Sequence, residues 1–308
     1  LGSSWNGITG RIELSDTGRV WINDVQVFPN LAQQTMLIKV RIGNQTGLSG
    51  QGTLTAVWPD AGYAAAYWDE RGGTAEIEVP LRLDREGWDE FKPKLHPLRL
   101  LLSGTCINES YELKVGLRDL RAVGKEFMLN GRPIIFRGTH NGGDFPLTGY
   151  PPTDVASWKK IFETCKSWGL NHMRFHSWVP PEAAFQAADE LGFYLQVEPG
   201  MWNDISSGSP MELMLYEETD RVIRAYGNHP SFMLMSASHE PKGDWQEVLT
   251  FSFVPSEVER LLGAPVLGGL LLEDPRQRRH MPAGVVVNPG RAQFPPERAA
   301  HAGRLLGH

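Results

Sequence analysis

Polar and aromatic side chains recur at four places in the second half of the chain: His140 with Asn141, His176 with Trp178, Glu198 with Trp202, and His239 with Glu240. Each group directly follows a short apolar run, so each sits where a strand would end. Two of the groups carry a carboxylate. Glu198 and Glu240 at the ends of neighbouring strands would suit general acid–base work, and a direct pair requires a separation of less than about 10 Å. Ten tryptophans offer faces for stacking on flat ligands, although large aromatics equally fill cores. Cys106 and Cys165 lie far apart without metal-type spacing, so neither a zinc site nor a disulfide framework is expected, and both read as buried free thiols. No metal or cofactor is expected.

The elements that position these residues follow from periodicity. From about 122 onward, strand and helix patterns alternate. Phe127 to Leu129, Asn130-Gly131 and Arg132 to Phe136 read as a hairpin on an Asn-Gly turn, with a buried strand over 133–137. Thr153 is placed to cap a helix whose apolar positions are Val155, Trp158, Ile161, Phe162, Cys165 and Trp168, stopped by Gly169. Strands are expected over 171–175, 193–197 and 232–235. Helices are expected from Pro181 to Gly192 and from Ser209-Pro210 to Tyr226. Such alternation implies parallel strands with crossover helices, in an open doubly wound sheet or a (β/α)8 barrel. No Gly-rich phosphate loop follows the first strand, and the functional residues gather at strand ends, which favours a TIM barrel, of which four strands are legible.

Residues 1 to about 121 read differently. Runs over 20–22, 36–42, 52–58 and 74–79 alternate apolar and polar residues, followed by strand-like segments over 98–102 and 111–117. Turn residues separate them, as at Pro59-Asp60-Ala61-Gly62. The expectation is an antiparallel β-sandwich.

A net charge of −6 argues against a nucleic-acid surface. No apolar run approaches the ~20 residues that span a bilayer. The chain has no signal peptide and begins at Leu1, so an upstream segment is expected to be missing. The compartment stays open, with a secreted or periplasmic one compatible. Beyond Lys242 there is no lysine, while Arg, Pro, Gly and Ala abound, and the β/α rhythm stops. Residues 249–308 are therefore expected to be an atypical tail, not native to the fold.

The run Lys125-Glu126-Phe127-Met128-Leu129-Asn130-Gly131-Arg132-Pro133-Ile134-Ile135-Phe136-Arg137-Gly138 resembles the entry hairpin and first barrel strand of glycoside hydrolase family 2. Gly169 to His176 followed by Pro180-Pro181 resembles that family's second strand and loop. Ala188 to Tyr194 resembles its next helix-to-strand step. Asn228-His229-Pro230-Ser231-Phe232, eight residues before the position of Glu240 as counted from Phe232, resembles the approach to its acid/base. The resemblance implies a remnant of an N-terminal sugar-binding-type sandwich over 1–17 and an immunoglobulin-like β-sandwich over 18–121. The first half of a TIM-barrel catalytic domain, strands one to four, would follow over 122–248. It implies a retaining β-glycosidase acting on a β-glycoside, with Glu240 as general acid/base in an apolar setting from Ala237 and Pro241. Arg174, His176 and His239 stand at family positions that would be substrate-binding, with a structural ion pair or core hydrogen bond as the alternative for Arg174. Among the other substrate-binding candidates, His140 and Asn141 would touch sugar hydroxyls or cap their loop, and Trp178 and Trp202 would stack on sugar faces or cover the barrel top, with Glu198 beside them. Glu198 would either orient a hydroxyl or pair with Arg174. The family pattern has asparagine directly before the acid/base, where this chain has His239. The family's nucleophile lies near the end of strand seven, and no segment here matches it, so impaired activity is expected of these residues alone. The alternative is a non-catalytic carbohydrate- or partner-binding module, with self-association through exposed half-barrel edges.

Overall fold

The computed structural model describes residues 12–58, 60–81, 86–123, 126–200, 204–205, 209–236 and 242–243. Two regions with separate apolar cores succeed one another along the chain.

The first is all β. β1 (Val20–Asn30), β2 (Thr35–Asn44), β3 (Gly50–Trp58), β4 (Asp60–Asp69), β5 (Gly72–Pro80), β6 (Leu95–Gly104) and β7 (Ile107–Gly116) form an antiparallel sheet in the order β1-β2-β5-β4-β3-β6-β7. The outermost strands, β1 and β7, approach each other, so the sheet nearly closes on itself. Alternation decides which side chains face inward. Met36, Ile38, Val40 and Ile42 of β2, Ala75, Ile77 and Val79 of β5, and Leu98, Leu100 and Leu102 of β6 are all buried in one core. In β1 the parity changes, from Val20 and Ile22 to Val25 and Val27. A bulge between Ile22 and Asp24 supplies the extra residue that turns the strand over.

Two expectations change here. The first strand extends well past 20–22, because the bulge breaks the alternation that would have revealed its second half. Residues 60–62 are not a turn but the start of β4, with Asp60 paired to Trp58. Alanine at 61, 64, 65 and 66 gives this strand too weak an apolar signal to read.

β8 (Leu120–Val123), β9 (Glu126–Leu129) and β10 (Arg132–Ile134) make a small antiparallel sheet. Its hairpin turns on Asn130 (φ 51°) and Gly131 (φ 77°). Both central residues are left-handed, which matches the twist of the flanking strands.

The second region alternates. β11 (Gly138–Asn141), α1 (Val155–Ser167), β12 (His172–Phe175), α2 (Glu182–Leu191), β13 (Tyr194–Val197), β14 (Asp204–Ile205), α3 (Pro210–Tyr226), β15 (Phe232–Met235) and β16 (Lys242–Gly243) follow in order. β11-β12-β13-β15 form a parallel sheet in sequence order, and β14 pairs with β16. Trp158 and Phe162 of α1 are wholly buried, as are Ala184, Phe185 and Ala188 of α2. Phe162 stacks on Phe193 at 4.7 Å.

The first parallel strand lies at 138–141 rather than 133–137, and Ile135 is 74% exposed. The apolar run after the hairpin serves as a connector to the sheet, not as a member of it. Asp154, not Thr153, caps α1, its carboxylate accepting the Ser157 amide at 2.8 Å. Trp168 ends up 81% exposed because it occupies the C-cap, where the helical phase no longer applies. Pro181 stands at the N-cap of α2, one position earlier than expected. Cys106 is exposed and Cys165 half-buried; both are free, but neither is fully buried. The tail at 249–308 lies outside the described residues.

Candidate functional site

Strand register brings the expected residues together. His140 of β11 lies opposite Arg174 of β12, and Arg174 lies opposite Gln196 of β13. Because side chains alternate, these three share one face of the sheet, with Gly138, His172 and Tyr194 in the row beneath. The opposite face carries Met173, Phe175, Leu195 and Val197, all buried in the core that also contains the α1 and α2 residues. One face is thus apolar and helix-covered, while the other becomes polar towards the C-terminal strand ends.

Glu198, one residue beyond β13, is the most constrained group on that face. Its side chain is 1% exposed. Oε1 accepts from Arg174 Nε at 2.6 Å and from Gln196 Nε2 at 3.5 Å. Oε2 accepts from Arg174 Nη2 at 3.2 Å and from the Ser177 amide at 3.1 Å. The guanidinium therefore meets the carboxylate in a two-pronged pair, the geometry in which arginine is fixed in direction as well as in place. Ser177 sits in the left-handed region (φ 59°), which a non-glycine residue holds only when its surroundings enforce it. Glu198 does so through the Ser177 N–H, and so shapes the loop after β12 as well as Arg174.

The rest of the cluster is built around Asn141. Its carbonyl accepts from the His176 amide at 2.9 Å and from Trp178 Nε1 at 3.0 Å, and its side-chain oxygen caps Gly143 N at 2.9 Å. Trp178 packs edge-on against Phe175 and Phe145. The His140 and His176 rings lie 4.8 Å apart, tilted by 52°. Beneath Arg174, burial and then the guanidinium's charge depress His172 to a pKa of about 4, so its ring is neutral at physiological pH. No group of three or more metal-ligating side chains occurs among the described residues.

The structure thus gathers His140, Asn141, Arg174, His176, Trp178 and Glu198 at one end of the sheet. Glu240, His239 and Trp202 lie outside the described residues. Ser177 and Gln196 join the cluster without having been expected. Gln196 was findable, since it stands two residues before Glu198 on the same face. Ser177 was not, because nothing in its type signals a left-handed turn. Two cavities lie elsewhere. One of about 360 Å³ is lined by Val27, Arg118, Arg121 and Asn228 among others, and one of about 590 Å³ by Asp154, Glu182 and Tyr226 among others. Neither is lined by the strand-end residues.

A parallel sheet with polar residues at its C-terminal ends is the general design of α/β enzymes, and known proteins narrow it. No family model matches the chain. The β-galactosidase of Arthrobacter sp. (strain B7) is 27% identical over 183 residues, 56% of this chain and 17% of that enzyme. The β-glucuronidase of Felis catus is 23% identical over 255 residues, 77% of this chain and 37% of the other. A glycosyl hydrolase family 2 member from Bacteroides cellulosilyticus superposes with a TM-score of 0.69 at 17% identity, covering 83% of this chain and 37% of its own. A family 2 β-galacturonidase from Eisenbergiella tayi, solved with galacturonate, gives 0.67 at 19% identity, covering 81% and 46%. Sequence and fold together relate the chain to glycoside hydrolase family 2, and its named relatives are glycoside hydrolases. The chain spans 17% and 37% of the length of those two curated relatives.

Proposed function

We propose that the chain carries the acid/base part of a retaining β-glycosidase active site, with Glu240 as general acid/base. The observation that carries this reading is the strand-end cluster at the C-terminal edge of a parallel sheet whose last strand, β15, ends at Met235, five residues before Glu240 in the sequence. In this reading Glu240 protonates the leaving oxygen and later deprotonates the attacking water. His140, Asn141, His176, Trp178, Trp202 and His239 contact the sugar, and Glu198 acts by holding Arg174 toward it.

The same proposal covers the architecture. Residues 18–121 form an immunoglobulin-like sandwich. In this reading β1-β2-β5 are one layer of the seven-stranded sheet and β3-β6-β7 the other, and β4, paired along the length of β3 but with β5 only at Tyr67–Asp69, joins them. Residues 122–248 supply strands one to four of a TIM barrel, in sequential parallel order.

A retaining mechanism needs a second carboxylate about 5–5.5 Å from the first. None of the 308 residues is assigned that role, so slow turnover is expected of this chain alone. The test is hydrolysis of aryl β-galactosides, β-glucuronides and β-mannosides by the parent and by Glu240→Gln. The expected result is weak hydrolysis that falls at least ~100-fold in the variant. Hydrolysis unchanged by the substitution, or neither hydrolysis nor saturable sugar binding, would overturn the reading.

A further inference from the structure

The segment Asn228-His229-Pro230-Ser231-Phe232 does structural work that its place in front of β15 does not announce. Asn228 faces the edge of β1. Its Oδ1 accepts from the Val27 amide at 2.9 Å and its Nδ2 donates to the Val25 carbonyl at 2.7 Å. One side-chain amide thus copies the paired bonding of a strand neighbour. Gln26, between those residues, sends Nε2 to the Arg224 carbonyl at 2.9 Å. Pro230 packs on the end of β7, where a methyl group at Gly116 would lie 2.4 Å from Pro230 Cγ. The Ser231 amide donates to Asp189 Oδ1 at 3.0 Å, and His229 Nδ1 lies 2.6 Å from Asp189 Oδ2. Arg118, buried between the two regions, donates to the Phe232 carbonyl at 2.5 Å.

Every residue of the segment therefore has a partner outside β15: Asn228 and Pro230 in the all-β region, His229 and Ser231 on α2, Phe232 at Arg118. The cavity of about 360 Å³ opens beside Val27 and Asn228.

We propose that Asn228 and Pro230 are positioning residues that lock β15 to the all-β region, so that this region sets where the segment bearing Glu240 leaves the sheet. The inference rests on Glu240 being the acid/base, but the joint itself can be tested without turnover. Hydrogen exchange in the full chain is measured for Asn228→Ala and Asn228→Asp. Aspartate keeps an acceptor for Val27 N–H but sets a carboxylate oxygen against the Val25 carbonyl, so it breaks the donor half of the joint alone. Losing these hydrogen bonds is expected to speed exchange of residues 232–236 roughly ten- to a hundredfold in both variants, with β6 and β7 unchanged. In the aryl-glycoside assay kcat is expected to fall while KM holds. Acceleration at Val27 alone, or equal loss of protection in β6, β7 and β15, would overturn the joint. If Glu240→Gln proves silent, the functional reading fails, while the exchange pattern still decides whether β15 is locked to β1.

Discussion

Glu198→Ala is the sharpest perturbation available at the site. The carboxylate is 1% exposed and accepts from Arg174 twice, from Ser177 N and from Gln196. Breaking a fully buried pair costs about 3–5 kcal/mol. The Arg174 side chain, however, is 34% exposed, so water replaces part of what it loses. That brings the charge contribution to about 2–3 kcal/mol, to which the orphaned Ser177 amide adds about 1 kcal/mol. At roughly 2–4 °C per kcal/mol for a chain of this size, the midpoint of thermal unfolding should fall by roughly 6–16 °C. Arg174→Met should cost at least as much, since it strands the deeper partner. The double variant Glu198→Ala/Arg174→Met should recover part of the loss, because neither charge is left without its partner. Thermal and urea unfolding of the four proteins give the coupling. Additive single effects, or a Glu198→Ala loss below about 1 kcal/mol, would show that the pair does not hold the strand ends and would refute the reasoning.

Two further expectations concern the same region. Gly192 (φ 66°) and Gly169 (φ 78°) end α2 and α1 in the same left-handed conformation, but a Cβ at Gly192 would lie 2.7 Å from the Asp89 carbonyl oxygen while one at Gly169 meets nothing within 4 Å. Gly169→Ala should therefore cost about 1 kcal/mol in urea unfolding, and Gly192→Ala clearly more; equal losses would contradict the close approach. His172 has a folded pKa near 4 against 6.5 unfolded, so the unfolded chain takes up its proton first. Its contribution is intact above about pH 6.5 and is lost as pH falls toward 4, by about 3 kcal/mol in all, so His172→Gln should flatten the acid limb of the stability profile.

How legible the chain is depends on which force sets each element. α3 runs from Pro210 to Tyr226 and β15 from Phe232 to Met235, as periodicity and punctuation indicate, because Pro starts and Gly stops a helix by local sterics alone. The Asn130-Gly131 hairpin is legible for the same reason. β4 is not, because its alanines carry little apolar contrast and its place is decided by pairing with β3. Nor is the second half of β1, whose inward residues change parity at a bulge that no residue type marks.

The same division runs through the site. Which residues gather follows from local rules: strands end, and the next polar residues stand at the edge. How they engage one another follows from register, a long-range property. The sequence left Glu198 with two roles, and only the alignment of β12 with β13 puts both carboxylate oxygens on Arg174. Likewise the Asn228-His229-Pro230 run is visible as a motif, but its partners, Val25, Asp189 and Gly116, are 203, 40 and 114 residues away in the chain. Side-chain types therefore nominate the chemistry of this sheet edge, while pairing across strands decides which of those side chains remain free to meet a ligand.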